Sequence, residues 1–453
     1  MVSVRRRGRA KVAGASPCPT GKVLKDLGDG LALRRGRSED AEALAEFNGR
    51  IHLDGGSPDE WVMNWTRDLA SGRRPGFAAE DFTIVEDTRT GTIISSMCLI
   101  PQAWSYGGIQ FPIGRPELVG TLPEYRKRGL VRAQFDVIHQ WGAERGELVQ
   151  AITGIPWFYR QFGYEMALEL DHWRGLPTKA VPKLGKGEKE PYRVRQAKEV
   201  DVSFIAQVYH EGMARSLVSS VQSPTAWRYQ LSGRTMSDSY RIIESADGRR
   251  TGFLAHYRKV RGGWFGVTVC ELRRGANWLA ATPAILRYLQ KTGTGIAGKQ
   301  KQQLEGLSFH LSAEHPMCQM MADYPVRAGR PYAYYVRVPD LPAFMKRIAP
   351  VLEERVASSP ICGYTGELKL GFYTSGLLLA FRNGRLRKAA AWTPEGGSSA
   401  SFPNLTFLQL LFCYRSLDEL AHAHADFGVR GNEARVALNV LFPKMASYVW
   451  AIE

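Results

Sequence analysis

The chain has 453 residues, a 44% apolar share, a 23% charged share and a formal net charge of +16. That length exceeds one ordinary core and predicts two to four domains, while no apolar run approaches the roughly 18 residues of a membrane span. The charge is local: residues 1–25 carry seven Lys/Arg and no acid, and 179–198 carry seven against two Glu, so these two stretches hold +12 of the +16. Without a basic stripe interleaved with aromatics, nucleic acid is excluded as a partner.

In chain order, residues 1–30 read as a basic disordered tail. It lacks the apolar core of a secretory signal, and the expected address is cytoplasmic. Leu31–Arg35 predicts a strand, and Ser38 caps a helix running through Phe47. A Trp-rich segment with Trp61 and Trp65 follows. Phe82–Glu86 and Thr92–Ile100 read as strands joined by a turn at Asp87–Gly91, and Ile109–Phe111 starts another.

The stretch that carries chemistry is Leu118–Arg132. A short strand, Leu118–Leu122, enters a turn at Pro123–Tyr125; three cations follow, Arg126, Lys127 and Arg128, and Gly129 opens a helix. Leu130, Val131, Ala133, Phe135, Ile138 and Trp141 share one arc of that helix, with Gln134 the polar intruder. A helix's first turn has unpaired N–H groups and the positive end of its dipole. Gly129 lets backbone approach an anion closely, and the cations add charge. Beyond it, Glu147–Ile152 is a strand, Ile155–Gly163 a short helix closed by Gly163, and Tyr164–Trp173 a last strand region.

Arg126-Lys127-Arg128-Gly129-Leu130-Val131 resembles the pyrophosphate loop of the GNAT superfamily of acetyl-coenzyme A-dependent acyltransferases, with Val131 where Gly or Ala is usual. The order strand, helix, three strands, helix, strand, helix, strand over 31–177 is similar to a GNAT domain with its mixed sheet. The resemblance implies that Val119, Gly120 and Thr121 pair with the pantetheine arm, with Gly154 and Ile155 on the opposite wall. It also implies that Lys127, Arg128, Gly129, Leu130, Val131 and Arg132 cradle the pyrophosphate, and that Tyr159 protonates the leaving sulfur.

Residues 178–191 read as a Pro/Gly/Lys/Glu linker. The stretch Leu33–Ala45 then recurs at Val194–Ala206 at a constant offset of 161, and Val269-Cys270-Glu271-Leu272 takes the place of Val119-Gly120-Thr121-Leu122 before another apolar helix, Trp278–Leu289. Residues 192–338 thus look like a degenerate GNAT-type domain without the phosphate loop. Gly293–Gln300 satisfies Gly-x-Gly-x-x-Gly, but it follows a helix and has Gln300 where a P-loop needs Ser or Thr; it reads as a flexible turn. The six cysteines form no CxxC pair, and His310, His315 and Cys318 lack a second ligand cluster, so free thiols and no metal are expected.

Residues 339–453 change character: a helix at Leu341–Val356, a hairpin at Glu367–Arg382, and helices at Leu405–Phe412 and Asp418–Phe427. The run Phe407–Phe412 reads as core. The three-part order resembles the enhanced intracellular survival family: two GNAT domains followed by a sterol carrier protein-like domain, an α/β architecture overall. That family acetylates amines, including aminoglycosides and lysine-like groups, assembles as hexamers, and brings its terminal carboxylate into the active site, which would here be Glu453. The expectation is therefore an N-acetyltransferase taking an amine-bearing acceptor, without membrane or metal and with a homo-oligomer implied. A non-catalytic ligand-binding protein or scaffold is the alternative.

Overall fold

The computed structural model describes residues 23–53, 56–170, 172–235, 238–312, 314–330, 332–394 and 396–450. The first strand lies where the sequence suggested tail: Val23–Gly28 (β1) turns at Asp29 and Gly30, both left-handed, and pairs antiparallel with Leu31–Arg35 (β2). β1 is a polar edge strand, so it lacks the apolar signal that marks β2. Helices α1 (Ala41–Ile51) and α2 (Glu60–Ala70) follow. The cap expected from Ser38 is not made: Ser38–Asp40 forms a short turn ahead of α1, and the Asp40 carboxylate reaches back to accept from Arg37 N–H at 2.8 Å. Asp59 caps α2 by accepting from the N–H groups of Trp61 and Val62. Then come β3 (Phe82–Asp87), β4 (Thr92–Tyr106), β5 (Ile109–Thr121), α3 (Leu130–Glu144), β6 (Val149–Ile152) and β7 (Glu165–Leu170). Gln134, the polar residue on the apolar arc of α3, is buried and satisfied, donating to Ser95 Oγ at 2.7 Å and accepting from Thr83 Oγ1 at 3.0 Å.

The second half supplies β8 (His172–Pro177), β9 (Tyr192–Gln196), β10 (Val218–Val221), β11 (Ser239–Ser245), β12 (Arg250–His256), β13 (Trp264–Leu272), β14 (Gly306–Leu311), β15 (Arg327–Ala328) and β16 (Tyr332–Arg337). The first sheet runs β1-β2-β3-β4-β5-β6-β16-β7, with β10 on β4; the second runs β15-β8-β14-β13-β12-β11-β9. The two domains therefore exchange a strand. β8, placed by sequence in the domain ending at 177, pairs with β14, and β16, placed in the domain ending at 338, inserts between β6 and β7. Strand patterning identifies a strand but not its partner, so those sequence boundaries miss the exchange. Residues 178–191 are likewise tied down: Arg287, on the helix Trp278–Lys299, pairs with Glu190 at 2.6 Å, and Gln290 donates to Thr178 O at 2.9 Å.

The 161-residue echo is a repeated polar knot. Arg34 and Arg195 are each the fourth residue of their strand, β2 or β9, and each bonds the aspartate six residues on, Asp40 or Asp201, at 2.7 Å. Each also binds a glutamate of the neighbouring strand, Glu86 or Glu244. Burial acts to raise the Asp40 pKa, but its bonds to Arg34 outweigh burial and hold it below the ordinary value. The glycine-rich Gly293–Lys299 stretch, expected as a turn, continues the helix Trp278–Lys299. Gln300 just beyond accepts from Val260 N–H at 2.8 Å.

The C-terminal part has a helix, Leu341–Ala357, and a five-stranded sheet built on the hairpin Gly366–Gly371 and Gly376–Arg382. Phe407–Phe412 is mostly buried in a core continuous with the first sheet: Tyr106 of β4 packs edge-on against Phe344 and Phe412 and donates to Leu411 O at 2.8 Å. No helix of the described residues is long and apolar enough to cross a membrane.

One buried group sits where β5 and β6 meet. The Glu147 carboxylate is wedged beside Gly114 of β5 and Gly142 of α3, where a Cβ would collide with it, and its closest cation, Arg145, is 4.0 Å away. Burial raises its pKa to about 7, against a partial offset from Arg145. The folded state thus keeps a proton that the unfolded chain releases near pH 4.5. Stability should fall as pH rises from about 4.5 to 7 and level off above. Glu147→Gln should flatten that slope and add about 1–3 kcal/mol at pH 8 relative to pH 5. Denaturant titrations at the two pH values check this, and an unchanged slope in the variant refutes it.

Candidate functional site

β5 and β6 run parallel but pair only at Ile113–Val149 and Gly114–Gln150. Further along, β5 carries a bulge: Glu117 faces Cys98 and Gly120 faces Ser96, leaving Leu118 and Val119 opposite Met97 alone, with Leu118 left-handed at φ 55°. A bulge bends and twists its strand, and here it carries β5 away from β6. The gap between them opens into a cavity of about 850 Å³. Gly120 is required there, since a Cβ would lie 2.7 Å from Ile51 Cγ2.

The twelve described residues named from the sequence line this one cavity: Val119–Thr121 on one wall, Gly154, Ile155 and Tyr159 on the other, and Lys127–Arg132 at one end. The thirteenth, Glu453, lies outside the described residues. The segment leading to it packs in the second domain's core, where Trp450 stacks on Trp227 at 5.5 Å.

The basic end is an anion cradle. Gly129, at φ 75°, is the N-cap of α3 and no side chain caps the helix, so the N–H groups of Leu130, Val131 and Arg132 have no intrahelical acceptor. Val131, the departure from the usual small residue, packs its side chain against the core around Phe135 and Tyr159. Arg128 reaches Asp29 at 2.7 Å and Arg132 reaches Gln161 at 2.9 Å, while Arg126 donates to Thr121 O at 3.4 Å. Asp29 is largely solvent-exposed, so its pairing holds Arg128 weakly. A cradle of free N–H groups and mobile cations, continuous with a strand edge left without a partner, fits a pyrophosphate followed by an amide-bearing chain.

At the middle of the cleft, Tyr159 is 4% exposed and packs edge-on against Tyr335 at 5.4 Å. Its hydroxyl lies beside Gly154, where a Cβ would sit 3.4 Å away. Burial, and then the negative charge of Glu117, push the phenol's pKa up, so it is protonated at neutral pH. β16 braces that wall: Tyr332 donates to Gly154 O, and Tyr335 to Ile155 O at 3.3 Å.

Sequence reasoning missed Glu117, His52 and the two β16 tyrosines. Glu117 lines the cavity and its carboxylate pairs with buried Arg115; its place three residues before Gly120 on the same strand was a usable signal. His52 also lines the cavity, and its buried Nε2 has no hydrogen-bond partner among the described residues. Burial lowers its pKa, Asp59 opposing, so the ring is neutral at neutral pH. Tyr332 and Tyr335 arrive by the strand exchange, which leaves no local trace. Trp61 and Trp65 line the cavity too.

Residues 34–167 match the family model for an acetyltransferase (GNAT) domain. This part of the chain is a GNAT acetyltransferase domain, a class whose enzymes use acetyl-CoA as co-substrate, and the protein is an acyltransferase. Among solved structures it is similar to a GCN5-related N-acetyltransferase from Anabaena variabilis, at 14% identity and TM-score 0.64, covering 92% of this chain and 99% of that one. A GCN5-related N-acetyltransferase from Kribbella flavida gives 16% and 0.61, covering 92% and 97%. Eis1 from Mycobacterium abscessus gives 13% and 0.58, covering 92% and 98%. At these identities the likeness is one of fold, and it runs through all three parts of the chain. No curated protein matches the sequence.

Because Tyr332 fixes the Gly154 carbonyl without entering the transfer chemistry, Tyr332→Phe should loosen the wall. We expect KM for acetyl-CoA to rise about 3- to 10-fold, the equivalent of one ordinary hydrogen bond, with kcat nearly unchanged. Steady-state kinetics check this, and a fall in kcat at constant KM would contradict it.

Proposed function

We propose that this protein transfers the acetyl group of acetyl-CoA to a primary amine of a small molecule. The observation that carries the reading is the single cavity in which the anion cradle at Gly129, the unpaired edge Val119–Thr121, the protonated Tyr159 and the carboxylate of Glu117 come together. Lys127–Arg132 would hold the pyrophosphate, and Val119–Thr121 with Gly154 and Ile155 would flank the pantetheine. The bound thioester supplies the activated acetyl group.

The chain's own groups then manage protons. An amine must be neutral to attack, and Glu117 takes its proton, directly or through one water. Attack forms the amide bond and breaks the bond to sulfur; Tyr159 gives its hydroxyl proton to the departing thiolate and is reprotonated from solvent. Glu453, the base suggested by family resemblance, is the second candidate. Adding residues after Glu453 displaces that terminal charge and leaves Glu117 intact, so the extended chain and Glu117→Gln separate the two.

The second domain offers no equivalent edge. Cys270 is the sequence counterpart of Gly120, and its carbonyl accepts from His315 Nε2 at 2.8 Å. β13 and β14 pair over four positions, against two for β5 and β6. One acetyl-CoA should therefore bind per chain, measured by calorimetric titration; two would overturn the assignment. Tyr159→Phe keeps the packing and removes the proton, so turnover should fall roughly 10²–10⁴-fold with acetyl-CoA affinity little changed. Full activity in that variant would make Tyr159 a packing residue. Glu117→Gln should cost a comparable factor in turnover and remove the acidic limb of the pH–rate profile. An unaltered profile would move the base elsewhere. Thiol release that depends on amine separates turnover from a binding protein that holds the co-substrate without chemistry.

A further inference from the structure

One stretch of the cavity's lining has its own composition. It is formed by Ile51 at the end of α1, by Trp61, Val62 and Trp65 of α2, and by Leu118 at the bulge. Trp61 and Trp65 stand one helical turn apart on the same face, their rings 5.3 Å apart and tilted by 38°. Trp65 is buried in the domain core and cannot swing away, which makes the wall rigid. On the opposite wall, Ile155 is apolar and exposed as well.

Charge is distributed just as unevenly. Among the described residues lining the whole cavity, Glu117 is the one carboxylate, while Arg126, Lys127, Arg128 and Arg132 gather at the far end. A molecule with several ammonium groups would find one anionic partner and would direct its remaining charges at tryptophan or toward four cations. Each would lose water without gaining a counter-charge. An acceptor with one amine meets that cost least: its nitrogen joins Arg115 at Glu117, and its body goes to the tryptophans. His52 Nε2, buried, neutral and without a partner, is left to accept one hydrogen bond from a donor on that body.

We propose that the acceptor is a monoamine carried on a flat apolar ring system the size of a substituted benzene or indole, rather than a polycationic sugar or a lysine in a basic peptide. This rests on the acetyltransferase reading above and names its substrate class.

The test is a panel of amines with the full chain and acetyl-CoA, followed by thiol release. 2-Phenylethylamine and tryptamine stand for the proposed class, against an aminoglycoside and a lysine-containing basic peptide. We expect kcat/KM for the aryl amines to exceed that of both cationic acceptors at least about tenfold, the scale of a few buried methylenes. Trp61→Ala should lower kcat/KM for 2-phenylethylamine by roughly 10- to 100-fold while the acetyl-CoA Kd stays within about twofold. Trp61→Leu, a milder change in packing, should have a smaller effect in the same direction. Preference for the aminoglycoside or the peptide overturns the proposal and leaves the acetyltransferase reading standing, as does an aryl-amine rate indifferent to both Trp61 variants. Binding of acetyl-CoA with transfer to none of the amines overturns both.

Discussion

The site depends on two parallel strands that part company after two residue pairs. Buried backbone N–H and C=O groups must find partners, and an unpaired strand edge inside a protein is costly. β6 meets that demand with β16 on its outer side, where Tyr335 faces Ile152. β5 is held by β4 on one side and open on the other from Glu117 onward. A ligand that carries amides along its length can complete that edge as a strand would. The bulge at Leu118–Val119 and the Glu147 carboxylate, wedged at the vertex between Gly114 and Gly142, keep the opening from closing on itself.

The strand exchange explains how the second domain matters to the cleft of the first. By sending β16 between β6 and β7, the second domain provides the outer support of the cleft wall and both hydroxyls that hold the Gly154 and Ile155 carbonyls. In return it receives β8. Each domain also buries an acid, at positions that do not correspond in the repeat. Glu147 lacks a close cation and burial raises its pKa. For Glu271, burial acts in the same direction, but His315 and Arg215 outweigh it and hold the pKa below the ordinary value. His315 also binds the Cys270 carbonyl, so a protein side chain occupies the region that the first domain leaves to a ligand.

What was legible in the sequence follows from the range of the interactions. The phosphate loop is local, a glycine and cations at a strand-to-helix turn, and its residues stand together at the cavity's end. The domain repeat was visible because Arg34 and Asp40, and Arg195 and Asp201, bond within one turn of chain. The glycine run at 293–299 was misjudged because composition was weighed above context: Gly293 packs beside Phe265 and the apolar face of the helix continues past it. The exchange of β8 and β16 was not legible, since nothing local in either strand says which sheet it joins. Glu117 was hidden differently. It sat in plain view on the strand, but only the bulge and the tertiary position of Arg115 show that it is near Tyr159.

The arrangement of charge along the cleft adds a consequence that no single residue carries. Cations and free N–H groups sit at one end and Glu117 lies past the middle, with apolar walls between that keep the local dielectric low. Such a field orients two oppositely charged reactants without contacting their reacting atoms. On the proposed reading, phosphates are drawn to the α3 terminus and an ammonium group toward Glu117, so the thioester and the amine would be presented from opposite ends. The same field opposes the reverse arrangement, because an ammonium beside Arg126–Arg132 or a phosphate beside Glu117 would meet like charge. Most of the chain's net positive charge is carried by the segments 1–25 and 179–198 instead. Orientation in the cleft is thus set by a handful of side chains on β5 and α3, which are held in place by the bulge and by the first turn of one helix.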